Sequence, residues 1–108
     1  MMFEDIKFTE GRLRARARGP GLMLPGGYWV PKTDVETAWR LVTTAFPKLT
    51  WEKPHTAKTM CQDPLWADRP KGQRIAFGRC IRFFVTRGML RLTEANHGSS
   101  GSRKYRPE

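Results

Sequence analysis

Lys71-Gly72-Gln73-Arg74-Ile75-Ala76-Phe77-Gly78-Arg79-Cys80-Ile81-Arg82-Phe83-Phe84-Val85-Thr86-Arg87-Gly88-Met89-Leu90 is the stretch on which the fold turns. Its apolar residues recur at helical spacing, and the spacing predicts a helix from Pro70 or Lys71 to Arg87. On a helical wheel Ala76, Phe77, Cys80, Ile81, Phe83 and Phe84 share one broad face. Lys71, Arg79, Arg82 and Thr86 fall opposite, with Arg74 at the border and Ile75 and Gly78 inside the polar stripe. Gly88 follows as a residue that readily takes the left-handed conformation closing a helix. Glycine inside a helix costs about 1 kcal/mol relative to alanine, so Gly78 is read either as a tolerated surface residue or as room for a ligand backbone.

Beyond Gly88 the period changes to two. Met89 to Thr93 reads as a strand, Asn96 to Ser102 as a turn, and Arg103-Lys104-Tyr105-Arg106 as a returning strand, which makes a hairpin over 89–106. Upstream, Thr33-Asp34-Val35-Glu36 has the form of a capping box. A helix over 33–46 follows, with Val35, Ala38, Trp39, Val42, Ala45 and Phe46 inward and Pro47 as its stop. Prolines 54, 64 and 70 divide residues 48–70 into short pieces. These include a short helix over Thr56–Gln62 and a single turn opened by Asp63-Pro64, with Trp51, Leu65 and Trp66 expected in the core.

Residues 1–31 differ in character. Arg12, Arg14, Arg16 and Arg18 alternate with small or apolar residues, which places them on one face of a strand. Ile6, Phe8 and Leu22 to Leu24 suggest short strands, while Gly19-Pro20-Gly21 and Pro25-Gly26-Gly27 are expected to break the chain. The segment reads as a basic arm or loose hairpin, or as an irregular edge of the core. The expected organisation is thus a basic N-terminal segment, 1–31, and a binding domain, 32–108.

This order of elements resembles the winged helix-turn-helix fold. The resemblance rests on Phe83-Phe84-Val85-Thr86-Arg87-Gly88-Met89-Leu90, the Gly/Ser turn and Arg103-Lys104-Tyr105, and covers about residues 32–106. The proline-rich segment before the long helix departs from the pattern. The resemblance implies a small α+β domain with a recognition helix in the major groove and a wing on the backbone or minor groove.

Charge points the same way. The 108 residues carry a net charge of +10, and residues 71–108 hold nine Lys and Arg against two Glu. An excess of this kind repels itself and is tolerated most readily when a polyanion is the partner. The expected binding residues are Lys71, Arg74, Gly78, Arg79 and Arg82 on the helix, Arg103, Lys104 and Arg106 on the wing, and Arg12, Arg14, Arg16 and Arg18 on the arm. Duplex DNA is favoured over RNA because most aromatics fall on core faces, Tyr28, Trp29 and Tyr105 being the candidates for exposure. RNA, or an acidic protein docked on the basic face, is the alternative partner.

No enzymatic chemistry is expected. His55, Cys61, Cys80 and His97 match no metal-ligand spacing, and Cys80 lies on a core face whereas Cys61 could be exposed. The acidic residues form no paired-carboxylate motif, and the glycines form no phosphate-binding loop. No cofactor is expected. Without a signal peptide, an apolar run of membrane-spanning length or a cysteine framework, a cytoplasmic location is expected.

Overall fold

The computed structural model describes residues 2–13, 17–95 and 103–108, with side chains throughout except at 10–13 and 17–18. Residues 9–31 form an antiparallel meander of β1 (Thr9–Leu13), β2 (Ala17–Leu24) and β3 (Tyr28–Pro31). Arg12 lies opposite Arg18 in the first pair, and Leu22 lies opposite Val30 in the second. The N-terminal segment is therefore a hairpin extended by a third strand. Arg14 and Arg16, and the side chains of Arg12 and Arg18, lie outside the described residues.

One expected break is absent. β2 runs through Gly19-Pro20-Gly21, with Pro20 opposite Glu10 of β1. β3 ends at Pro31 opposite Gly21, so no strand lies against β2 on its other side at Pro20. A proline is tolerated where one side of a strand has no ladder to complete. Pro25-Gly26-Gly27 does break the chain: Gly26 and Gly27 take φ of +90° and +81°, which a side chain would strain.

The helix α1 (Lys32–Ala45) starts earlier than the capping box predicts. β3 feeds directly into it through Pro31, which occupies the cap position without a side-chain cap. Thr33 is thereby drawn inside the first turn, where its carbonyl accepts a hydrogen bond from the Thr37 hydroxyl at 2.8 Å. Val35, Ala38, Val42 and Ala45 are buried as expected, and Trp39 and Phe46 are half-buried against the core.

The proline-rich middle holds β4 (His55–Thr56) and α2 (Ala57–Cys61). The Thr56 hydroxyl caps α2 by accepting from the Thr59 backbone N–H, and Gln62 ends it in the left-handed conformation, at φ +45°. The turn expected after Asp63-Pro64 is a 3-10 turn at Trp66–Asp68. It turns Trp66 toward Phe77, with ring centroids 6.3 Å apart, and leaves Leu65 54% exposed, contrary to its expected place in the core.

The long helix α3 (Lys71–Thr86) buries the six residues its periodicity selects: Ala76, Phe77, Cys80, Ile81, Phe83 and Phe84. Gly88 closes it at φ +75°: its own N–H donates to the Val85 carbonyl, and that of Met89 donates to Phe84. This paired closure is the Schellman arrangement. It occupies Met89 and displaces the following strand, so β5 is Leu92–Ala95 and β6 is Lys104–Pro107. The turn between them lies outside the described residues. β4 pairs with β6, giving a second antiparallel sheet of order β4-β6-β5.

The result is a compact α+β domain of three helices and two small antiparallel sheets, among the described residues. Ile6, Leu22, Leu24 and Val30 from the N-terminal segment share one core with the helices, Leu92 and Tyr105. Phe3 stacks on Trp39 at 5.5 Å, and Trp39 meets the edge of Phe84 at 5.0 Å, so the first residues are tied through α1 to α3.

Both cysteines are free and buried, which corrects the expectation of an exposed Cys61. Burial is the main force pushing each thiol up to about 12, with Asp63 adding to the effect at Cys61 and Asp34 at Cys80. A thiol so raised is protonated at neutral pH and shielded from reagents. Ellman's reagent at pH 8 is therefore expected to label neither cysteine in the folded protein and both in denaturant. Rapid labelling of the native chain would contradict their placement.

Candidate nucleic-acid interface

The exposed face of α3 is a ridge between two grooves. Arg79 and Arg82 project from it and line both. The first groove, of about 540 Å³, lies toward β6 and α2, where Lys58 and Arg103 bring its cations to four. No carboxylate lines it among the described residues. Glu94 stands nearby and pairs with Arg103 at 2.5 Å, which holds that guanidinium at the rim. Half-buried Trp66 supplies aromatic surface to one wall, Tyr105 lies buried behind the groove, and Ile75 stays 43% exposed within the polar stripe.

Gly78 also lines this groove. A Cβ built there would meet only the Ala57 Cβ, at 3.9 Å, an ordinary contact. Internal packing therefore does not require a glycine at this position. Arg79 lies 4.4 Å over the ring of Tyr28, a cation–π contact that orients it and ties the ridge to β3. The second groove is floored by Leu24, Pro25 and Phe83.

Compared with protein-family models, curated proteins and solved structures, the chain finds no match.

Of the residues expected from sequence, Gly78, Arg79, Arg82 and Arg103 come together at the first groove. Lys71 is exposed in the first turn of α3, outside both grooves. Arg74 is half-buried, its Nε covered and without a hydrogen-bond partner. Lys104 and Arg106 are out of phase with Arg103 and Tyr105 along β6, and alternation sends them to the other face of the sheet. Trp29 and Tyr105, expected among the exposed aromatics, are both buried. Burial is the first cause raising the Tyr105 phenol above its ordinary range, followed by Glu94.

Sequence reasoning missed Lys58 and Trp66 at the first groove and Arg87 at the second. The short helix at 57–61 was legible, but Lys58 reaches the groove only because β4 pairs with β6. Trp66 packs against the core as expected, but half-buried, and its exposed part forms the groove wall.

The connection between α2 and α3 sets the position of the ridge. The Asp63 carboxylate accepts from the Leu65 backbone N–H at 3.0 Å and pairs with the Arg69 guanidinium. Gln73 on α3 accepts from Arg69 and donates to Asp34 on α1. The Arg69 hydrogen bond is the main cause lowering the Asp63 carboxyl below its ordinary value, against the opposing effect of burial. A carboxylate lowered on folding stabilises above its unfolded pKa, near 4, and loses that contribution as pH falls through the folded value. Asp63→Asn is expected to destabilise by about 1.5–3 kcal/mol at pH 7, the range for a charged hydrogen bond. The difference from the parent should shrink as pH falls below about 4, where the unfolded chain's carboxylate takes up protons that the folded one, held lower by Arg69, still resists. Urea melts at pH 7 and pH 3 check this; a difference independent of pH would contradict the Asp63–Arg69 account.

Proposed function

We propose that this chain is a non-catalytic binder of duplex DNA that presents α3 as its recognition helix and the β5–β6 hairpin as a wing. The observation that carries the proposal is the ridge of Arg79 and Arg82 above a groove that, among the described residues, is lined by four cations and no carboxylate. Lys and Arg in such a surface displace the counterions condensed on phosphates. Arg can also read guanine edges through paired hydrogen bonds.

The order α1, β4, α2, α3, β5, β6 supports a winged helix-turn-helix reading, since β4 closes the hairpin into a sheet beside the long basic helix. Residues 62–70 make the connection before α3 longer than a tight turn. The burial of Trp29 and Tyr105 favours duplex over single-stranded targets, because single-strand recognition relies on exposed rings for stacking. The buried, protonated cysteines favour a binding role over thiol chemistry.

Fluorescence anisotropy with duplex DNA, single-stranded DNA and RNA of matched length tests the proposal. Tightest binding to duplex DNA is expected. Preference for RNA would replace the target, and binding to none of the three would move an acidic protein partner to first place.

Gly78 provides a second test. Gly78→Ala is expected to raise stability by about 0.5–1 kcal/mol, the ordinary helix gain, because the new methyl finds space. The same methyl narrows the groove and is expected to weaken binding. A more stable variant that binds as tightly as the parent would show that the ligand does not approach Gly78.

A further inference from the structure

The second groove has a composition the first lacks. Its floor is apolar, made by Leu24 and Pro25 at the β2–β3 turn and by Phe83 of α3. Its rim carries three guanidiniums, Arg79, Arg82 and Arg87, and among the described residues no carboxylate lines it. Its volume is about 420 Å³, within the range of roughly 300–1,000 Å³ usual for small-molecule sites. Arg87 lies 5.3 Å over the face of the Phe83 ring, a cation–π contact that holds its guanidinium against this apolar side chain. An extended phosphate chain has little use for such a floor, and an uncharged hydrocarbon has no use for three guanidiniums.

We propose that this groove binds a small amphipathic anion, an aromatic or alkyl carboxylate. The hydrocarbon part would lie on Leu24, Pro25 and Phe83. The carboxylate would take the forked donors of the arginine rim, a geometry in which guanidinium and carboxylate match. The ligand would then compete with nucleic acid. Arg79 and Arg82 serve both grooves, so an anion bound in the second withdraws two cations from the first. By linkage, nucleic acid would weaken the anion by the same factor. This competition rests on the nucleic-acid reading; the anion site does not.

Calorimetry on the full chain with 1-naphthoate, and with 1-naphthalenemethanol as its uncharged counterpart, tests the site. 1-Naphthoate is expected to bind with one site per chain. The alcohol is expected to bind about tenfold more weakly or worse, the scale of one lost charged hydrogen bond. Arg87→Ala removes a rim charge that the first groove does not share, and is expected to weaken 1-naphthoate by a similar factor of about ten. Thr86→Phe, which fills the groove from an exposed helix position, should abolish binding. Arg103→Ala, on the first groove alone, should leave it unchanged. Circular dichroism confirms that each variant is folded. Absence of binding, equal affinity for the alcohol, or a folded Arg87→Ala that binds like the parent would each overturn the site. Displacement of duplex DNA by 1-naphthoate supports the competition. If the parent binds no nucleic acid, the nucleic-acid reading fails by itself, and calorimetry still decides the anion site.

Discussion

Phe84→Ala is expected to lower the free energy of unfolding by about 3–5 kcal/mol, the usual cost of emptying an aromatic core site. Phe84 has 0% of its surface exposed, meets Trp39 edge-on at 5.0 Å and lies 6.2 Å from Phe83. Removing the ring takes away the side chain that joins α3 to α1 and, through Trp39, to Phe3 at the start of the chain. Domains of this size hold a total stability of only about 5–15 kcal/mol. A loss at the upper end of the expected range removes most of the stability of a marginal domain. Phe84→Leu keeps much of the volume and is the milder companion, with a smaller expected loss. Urea melts of both should rank parent above leucine above alanine. An unchanged midpoint for the alanine variant would mean that the buried face of α3 is misplaced.

The double substitution Arg79→Ala, Arg82→Ala is expected to weaken DNA binding by about a hundredfold or more, on a scale of roughly 1.5–3 kcal/mol for each charged contact. Both residues are exposed, so the fold should survive. They are not equivalent. Arg79 rests on Tyr28, and its loss should remove the roughly 0.5–1 kcal/mol of an exposed cation–π contact. Arg82 makes no such contact among the described residues, so Arg82→Ala is the cleaner single variant and should leave stability within about 0.5 kcal/mol. Lys104→Ala, on the opposite face of its strand, should reduce affinity far less. A double variant that binds like the parent would remove α3 from the interface.

The long helix was legible because its signals agree. Phe77, Cys80, Ile81 and Phe84 repeat at one period, and Gly88 ends the run; the structure buries that face and closes the helix there. α1 was legible for the same reason, although its start was misread: a threonine with a glutamate three residues on makes a cap only if the chain enters from outside the helix. Here β3 delivers Pro31 to that place first. The path of β2 through Gly19-Pro20-Gly21 was hidden because local turn propensity was overridden by pairing with β1.

The candidate interface was legible in part. Helical phase put Arg79 and Arg82 on the exposed side, and Arg103 was expected on the wing. Lys104 and Arg106 were grouped with it by composition, whereas strand alternation separates them. The second groove could not be read from sequence, because it forms where the β2–β3 turn meets the last turn of α3, and no local pattern records that meeting.

The salt dependence of duplex DNA binding tests the central claim most directly. Each phosphate contact neutralised by Lys or Arg contributes about 0.9 to the slope of log K against log salt on B-DNA. If Lys58, Arg79, Arg82 and Arg103 all meet phosphates, the parent should show a slope of about −3.6 or steeper, and the double variant a slope shallower by about 1.8. Equal slopes for the parent and the folded double variant would contradict the account, because the arginine ridge would then not be meeting the phosphates.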